Sequence, residues 1–149
     1  MSLKLIQYND SLKDSLFDFT AECFLDTGKV FEPDGRHSYY RNIPDTFQLF
    51  LCLVEDNKVK GSVAIKQFSS DTAELKALYL SKELRGKGWG YKLLDCAVSF
   101  ARENGYKRIV LDSMNAYEDA RRLYDRYGFK EISRYNDNLF AEVFMELIL

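Results

Sequence analysis

The sequence predicts an α+β fold, a single domain spanning residues 1–149. It should rest on a mixed, mostly antiparallel sheet of about six to seven strands with a central parallel pair, flanked by about four helices. Three observations carry this expectation. Strand-like runs at Phe47 to Val54, Val59 to Phe68 and Ala73 to Leu80 succeed one another across short polar turns, the pattern of an antiparallel meander. Apolar residues then recur at helical spacing through Leu93, Leu94, Ala97, Val98 and Ala101. Arg108 to Asp112 follows as another strand, and strand, helix, strand in that order makes parallel neighbours.

The remaining elements follow in order. Leu3 to Tyr8 is a short, partly alternating strand, and Asn9 and Asp10 offer capping oxygens to a helix carrying Leu12, Leu16, Phe17, Cys23 and Phe24. From Asp26 to Asp45 the signal is mixed: Gly28, Pro33, Gly35 and Pro44 punctuate it, with a short helix expected over Arg36 to Asn42. Asn104-Gly105 stops the helix that follows the meander. Asn115 is placed to cap the next helix, with Glu118 completing a capping box. That helix carries Ala120, Leu123, Tyr124 and Tyr127 on one face and ends at Gly128. Lys130 to Tyr135 and Phe140 to Leu147 read as a last antiparallel pair around Asn136-Asp137-Asn138.

Composition narrows the function classes. At 149 residues, 46% hydrophobic and 30% charged, the chain can bury a proper core and belongs with soluble globular proteins. A net charge of −2 and a pI near 5.5 argue against a nucleic-acid binder. Cys23, Cys52 and Cys96 are scattered and odd in number, which favours reduced thiols, a cytoplasmic setting and no zinc site. Met1 to Asp10 has no long apolar run, so neither a signal peptide nor a membrane partner is expected. No His, Cys and carboxylate cluster has ligand spacing, and no catalytic metal is expected. His37 is the sole histidine and no G-x-S-x-G elbow accompanies it, so it reads as a surface or substrate-loop residue.

The stretch that organises the chain is Arg85-Gly86-Lys87-Gly88-Trp89-Gly90, between the third meander strand and the long helix. Glycines let backbone approach a ligand, and the first N–H groups of a helix have no intrahelical partner. Free donors and the positive end of the helix dipole suit a diphosphate. A P-loop is excluded because Gly90 is followed by Tyr91 and Lys92 rather than Lys and a hydroxyl residue. A dinucleotide fingerprint is excluded because the glycines alternate.

Arg85, Gly88 and Gly90 fit the pattern [Arg/Gln]-x-x-Gly-x-[Gly/Ala], the pyrophosphate loop of the GNAT acetyltransferase superfamily. Asn115 to Phe129 resembles that family's N-A-x-x-x-A-x-x-L-Y-x-x-x-G-F segment. The resemblance runs from about Leu49 to the C-terminus and implies an acetyl-CoA-dependent N-acetyltransferase, with acetyl-CoA as cosubstrate and direct attack by a primary amine in a ternary complex. By this resemblance Gly86 to Tyr91 hold the diphosphate through backbone N–H groups, with charge from Arg85 and Lys87. Leu78, Tyr79 and Leu80 border the pantetheine arm, although a plain core strand would read the same way. Tyr124 would donate a proton to the leaving thiolate, the alternative being one more core aromatic. Asn115 would contact the coenzyme or serve only as a cap. Glu74, eleven residues before Arg85, resembles a catalytic base or is a solvent-facing strand residue; Asp112 and Glu142 are weaker candidates. Trp89 stands where the family carries a smaller aliphatic.

The segment holding Phe31, Glu32, His37, Tyr39 and Tyr40 should wall the acceptor site, or else supply core aromatics beneath a surface loop. The acidic pI, with Glu32, Asp34 and Asp137, leans toward a small cationic amine as acceptor. A protein lysine or N-terminal amine is the second substrate class, and a non-catalytic acyl-CoA-binding module the alternative of another kind. Phe140 to Leu147 is apolar enough to pair with a second copy as a homodimer.

Overall fold

The computed structural model describes residues 2–149. Seven strands form one sheet: β1 (Lys4–Gln7), β2 (Leu49–Glu55), β3 (Lys58–Gln67), β4 (Thr72–Leu80), β5 (Arg108–Ser113), β6 (Lys130–Glu131) and β7 (Val143–Ile148). Their spatial order is β1-β2-β3-β4-β5-β7-β6. Every neighbouring pair is antiparallel except β4 and β5. The meander arises because Asp56 and Asn57 adopt φ of 52° and 62°, the double positive turn that matches strand twist in a tight hairpin. The parallel pair arises because α3 (Trp89–Glu103) crosses over between β4 and β5.

The sheet separates two apolar layers. On one side α3 presents Leu93, Leu94, Ala97, Val98 and Ala101, all fully buried, to Val63, Ile65, Leu75 and Ile109. Burying each Leu or Val side chain there stabilises the fold by about 1.5–3 kcal/mol. α4 (Glu118–Tyr127) lies on the same side. On the other side α1 (Lys13–Leu25) packs Leu16, Phe19 and Cys23 against Phe50, Cys52 and Ala64. Gly61 of β3 lies at the α3 contact: a Cβ there would meet Leu80 Cδ1 at 3.2 Å and Leu53 Cβ and Leu93 Cδ1 at 3.3 Å. Gly61→Val is therefore expected to overpack this crossing and lower stability by about 1–3 kcal/mol, read as a lower urea midpoint. An unchanged midpoint would mean that the core gives way there.

Three expectations change at the element level. The segment after α1 forms a one-turn 3-10 helix at Ser38–Arg41 followed by the short α2 (Ile43–Thr46), which starts beside Pro44. The capping box does not form: α4 begins at Glu118, behind Tyr117 rather than Asn115, and no side chain caps it. Arg121 instead donates to Asn115 Oδ1 at 3.0 Å, and Glu118 pairs with Arg122. The final hairpin is short at its start, with β6 only two residues long and the ladder extended by Ile132 N–H to Phe144 O. Residues 133–142 leave the sheet as a loop braced by Arg134, which donates to the carbonyls of Asn138 and Ala141. The apolar C-terminal strand β7 lies between β5 and β6, with β6 pairing only Glu146 and Met145.

Candidate active site

The β4–β5 ladder is brief. Thr72 pairs with Arg108, Ala73 with Ile109 and Glu74 with Val110, and then the strands diverge. Beyond Glu74 the β4 edge that faces β5 has no strand partner. A bulge falls in the same stretch: Ala77 has φ of 55°, its carbonyl accepts from Ser62 Oγ at 2.7 Å, and the β3–β4 register shifts. The extra residue inverts the strand's alternation. Ala73 and Leu75 face the α3 layer before it, and Leu78 and Leu80 face that layer after it. Tyr79 is thereby turned to the α1 side, where its ring lies 5.5 Å from that of Phe24.

β4 runs directly into the glycine stretch. A 3-10 turn, Lys82–Leu84, buries Leu84, and Gly86 and Gly88 then take φ of 76° and 86°. That region favours glycine, because an L side chain there meets its own backbone. Gly90 has another reason: a Cβ would meet Leu123 Cδ2 of α4 at 3.3 Å. Two of the three glycines thus set the loop's path, and the third lets α3 approach α4. Gly88 caps α3, and Lys92 N–H is the helix donor that returns to it, at 3.2 Å, which leaves the first-turn N–H groups without helical acceptors. The nearby acids are engaged elsewhere, Glu83 by Lys60 at 2.6 Å and Asp26 by Lys82 at 3.1 Å. Arg85 and Lys87 are exposed and have no carboxylate partner among the described residues. Trp89 fits as the first residue of α3, its ring beneath the Lys92 ammonium at 4.6 Å.

Between the splayed strands opens a cleft of about 890 Å³ that reaches from the α4 side through to the segment after α1. Leu78, Tyr79 and Tyr124 border it, as do Glu74, His37, Tyr39, Tyr40 and Asp137. The glycine loop and Leu80 adjoin it without lining it. Phe31 and Glu32 are not in its wall: Phe31 stacks behind His37 at 5.7 Å, and Glu32 faces Arg36. Asn115 stands outside it, and Glu142 accepts from Asn115 N–H at 3.1 Å.

Tyr124 is buried in α4, and its hydroxyl has no hydrogen-bond partner among the described residues. Burial, with Asp112 and Tyr117 nearby, pushes its pKa above the ordinary phenol value, so the proton stays on at neutral pH. Glu74 is also buried, accepting from Tyr135 Oη at 2.6 Å and lying 3.5 Å from Lys76 Nζ. Lys76, two residues on and so on the same face of β4, lies 3.6 Å from Asp112 as well. Burial pulls the Lys76 pKa down, but Glu74, Asp112 and Tyr39 together outweigh it and the ammonium persists. Asp112 accepts from Asn136 at 2.7 Å and Asn138 at 3.3 Å. His37 is buried, not on the surface, and its Nδ1 accepts from Glu32 N–H at 2.9 Å. Burial and then the charges of Arg36 and Lys29 hold its pKa below the usual imidazole value, so the ring is neutral with its proton on Nε2.

The residues that reading the sequence missed are Lys76, Tyr135, Asn136 and Asn138. Lys76 was accessible through strand alternation from Glu74. The other three come from a loop whose approach to β4 and β5 has no local signature. Among the described residues no helix is long and apolar enough to cross a membrane, and no three His, Cys or carboxylate side chains gather as a metal site.

A parallel pair splayed open beside a glycine-cradled helix N-terminus, on a seven-stranded mixed sheet, is the architecture of GNAT-type domains. The chain belongs to the acetyltransferase (GNAT) family, whose family model matches residues 13–129. It is 40% identical over 72 residues to the N-acetyltransferase YjgM of Escherichia coli, covering 48% of this chain and 43% of YjgM. The chain spans about a third to a half of the length of the curated relatives it matches. Among solved structures, an acetyltransferase of the GNAT family from Staphylococcus aureus Mu50 superposes with a TM-score of 0.89 at 20% identity, covering 97% of this chain and 98% of that one. The paiA N-acetyltransferase of Thermoplasma acidophilum, solved in complex with coenzyme A, superposes with a TM-score of 0.76 at 20% identity over the whole of both chains.

Proposed function

We propose that this chain transfers the acetyl group of acetyl-CoA to the primary amine of a small molecule, by direct attack in a ternary complex. One observation carries the reading: the open edge of β4 beyond Glu74 leads, through the single turn Lys82–Leu84, into a loop of unpaired N–H groups with two unpaired cations, Arg85 and Lys87. An extended arm ending in a diphosphate matches both halves of that surface, the arm along the strand edge and the phosphates at the helix N-terminus. The residues present therefore fit coenzyme A.

When bound, acetyl-CoA supplies an activated acyl carbon and a thiolate leaving group, so that a C–N bond forms as the C–S bond breaks. The chain's residues supply the rest. Backbone N–H groups of Gly86 to Tyr91 take the diphosphate, with Arg85 and Lys87 adding charge. The backbone beside Leu78 orients the thioester and polarises its carbonyl. Tyr124 hands its proton to the departing sulfur and recovers one from solvent. Glu74, directly or through water, takes the proton that the amine loses.

The reading is tested by an acceptor screen with acetyl-CoA that follows thiol release. Coenzyme A binding without thiol release for any amine would point to an acyl-CoA-binding module instead. Coenzyme A at about a hundred times its Kd is expected to raise unfolding stability by ~2.7 kcal/mol, seen as a higher melting temperature. NAD or ATP should give no comparable shift. An equal shift with NAD would reject the loop assignment.

A further inference from the structure

We propose that the acceptor is a zwitterion, a small primary amine that also carries a carboxylate, as a free amino acid does, with that carboxylate held by Lys29 and Arg36. The inference rests on the transferase reading above and specifies the acceptor within it.

The cleft's charges are separated. On its floor Glu74 and Asp112 share one ammonium, Lys76, at 3.5 and 3.6 Å, so two carboxylates face a single cation. Where the segment after α1 lines the cleft, its charged residues are both cations, Lys29 and Arg36. Lys29 lines the cleft with its ammonium 4.3 Å from the centre of the Phe24 ring and 5.7 Å from that of Tyr117. No carboxylate lies within ion-pair distance of it among the described residues. Arg36 also lines the cleft, its guanidinium 4.0 Å above the Phe140 ring; its carboxylate partner, Glu32, is half exposed at 3.6 Å. His37 connects the two cations: its ring is 5.0 Å from Phe24, and with Nδ1 occupied its remaining polar group is an Nε2–H donor. All three groups on this wall are donors, and aromatic faces hold the two charged ones in place.

The two regions belong to one cleft. Tyr39 stands between them, its ring 6.2 Å from His37 and its phenol within the fields of Lys76, Asp112 and Arg36. A molecule whose ammonium sits by Glu74 and Asp112 and whose carboxylate reaches toward Lys29 and Arg36 would satisfy both regions at once. Lys66 and Asp137, both exposed at the mouth, are opposite in sign and leave this polarity unchanged. Two of the three acids that favoured a cationic amine lie outside the cleft: Glu32 and Asp34 pair with Arg36 and Arg41, and Asp137 alone lines it. An acceptor with positive charge alone would meet Lys29 and Arg36 as like charges, which selects against it.

The experiment uses matched sets assayed by thiol release: each free amino acid, its carboxamide and its decarboxylated amine, for example phenylalanine, phenylalaninamide and phenethylamine. The best free acid should exceed its amide in kcat/KM by about tenfold or more, the worth of a charge-assisted hydrogen bond. In Lys29→Gln that acid-to-amide ratio should fall about tenfold, and Lys29→Arg should restore part of it. Amides or decarboxylated amines that match the acids in every set, or a ratio unchanged in Lys29→Gln, would overturn the zwitterion while leaving acetyl transfer to amines intact. Absence of thiol release with every amine would overturn the transferase reading and this inference with it.

Discussion

Tyr124→Phe is expected to lower kcat and kcat/KM together by about 10²–10⁴-fold, the usual worth of a positioned general acid. The substitution keeps the ring that packs against Phe129 at 5.7 Å and removes only the hydroxyl and its proton. Donor affinity should barely move, because the residues assigned to coenzyme A are chiefly the loop from Arg85 to Tyr91, away from this ring. A parallel fall in both constants is the signature of an interaction made in the transition state rather than in substrate binding. The raised phenol pKa keeps the proton on Tyr124 across the working pH range, so the hydroxyl is present as a donor when charge develops on the sulfur. Steady-state kinetics beside calorimetric binding of coenzyme A decide the point. Full activity in the Phe variant would return Tyr124 to the core aromatics.

Glu74→Gln should cost about 10²-fold or more in kcat/KM at neutral pH, again within the range for a positioned acid–base group. The amide oxygen can still accept from Tyr135, so that hydrogen bond survives while the basic oxygen is lost. Lys76 retains Asp112 as its partner. The distinguishing measurement is the pH profile. A rising pH delivers more acceptor already as free amine, so the deficit of the Gln variant should shrink as pH increases. A deficit of constant size across pH, with an unchanged melting temperature, would assign Glu74 the separate role of holding Lys76 in place.

Much of the fold was legible because its signals are local. The meander was readable from polar turns at Glu55 to Lys58 and Ser69 to Asp71, and the parallel pair followed from a helix of strong period placed between two strands. Gly86 and Gly88 were legible for a local reason too, since a positive φ is a property of one residue's own backbone. Gly90 belongs to the other category: its constraint is Leu123, thirty-three positions away on another helix, and the hexamer alone cannot show it.

What the sequence by itself determined, then, was the order of strands and helices, the loop with its free donors, and the position of Tyr124 on a buried helical face. Tertiary structure alone decided the start of α4, because Asn115 is drawn away from a capping role by Arg121 and Glu142. It also decided the surroundings of Glu74, which alternation could equally have left facing water. A loop from residues 133–142 folds back over β4 and β5, covers that carboxylate with Tyr135 and fastens Asp112 with two asparagines. Such contacts join residues more than twenty positions apart in the chain. Their energy comes from burying charges that must then be satisfied, and only the assembled sheet fixes which groups lie within reach.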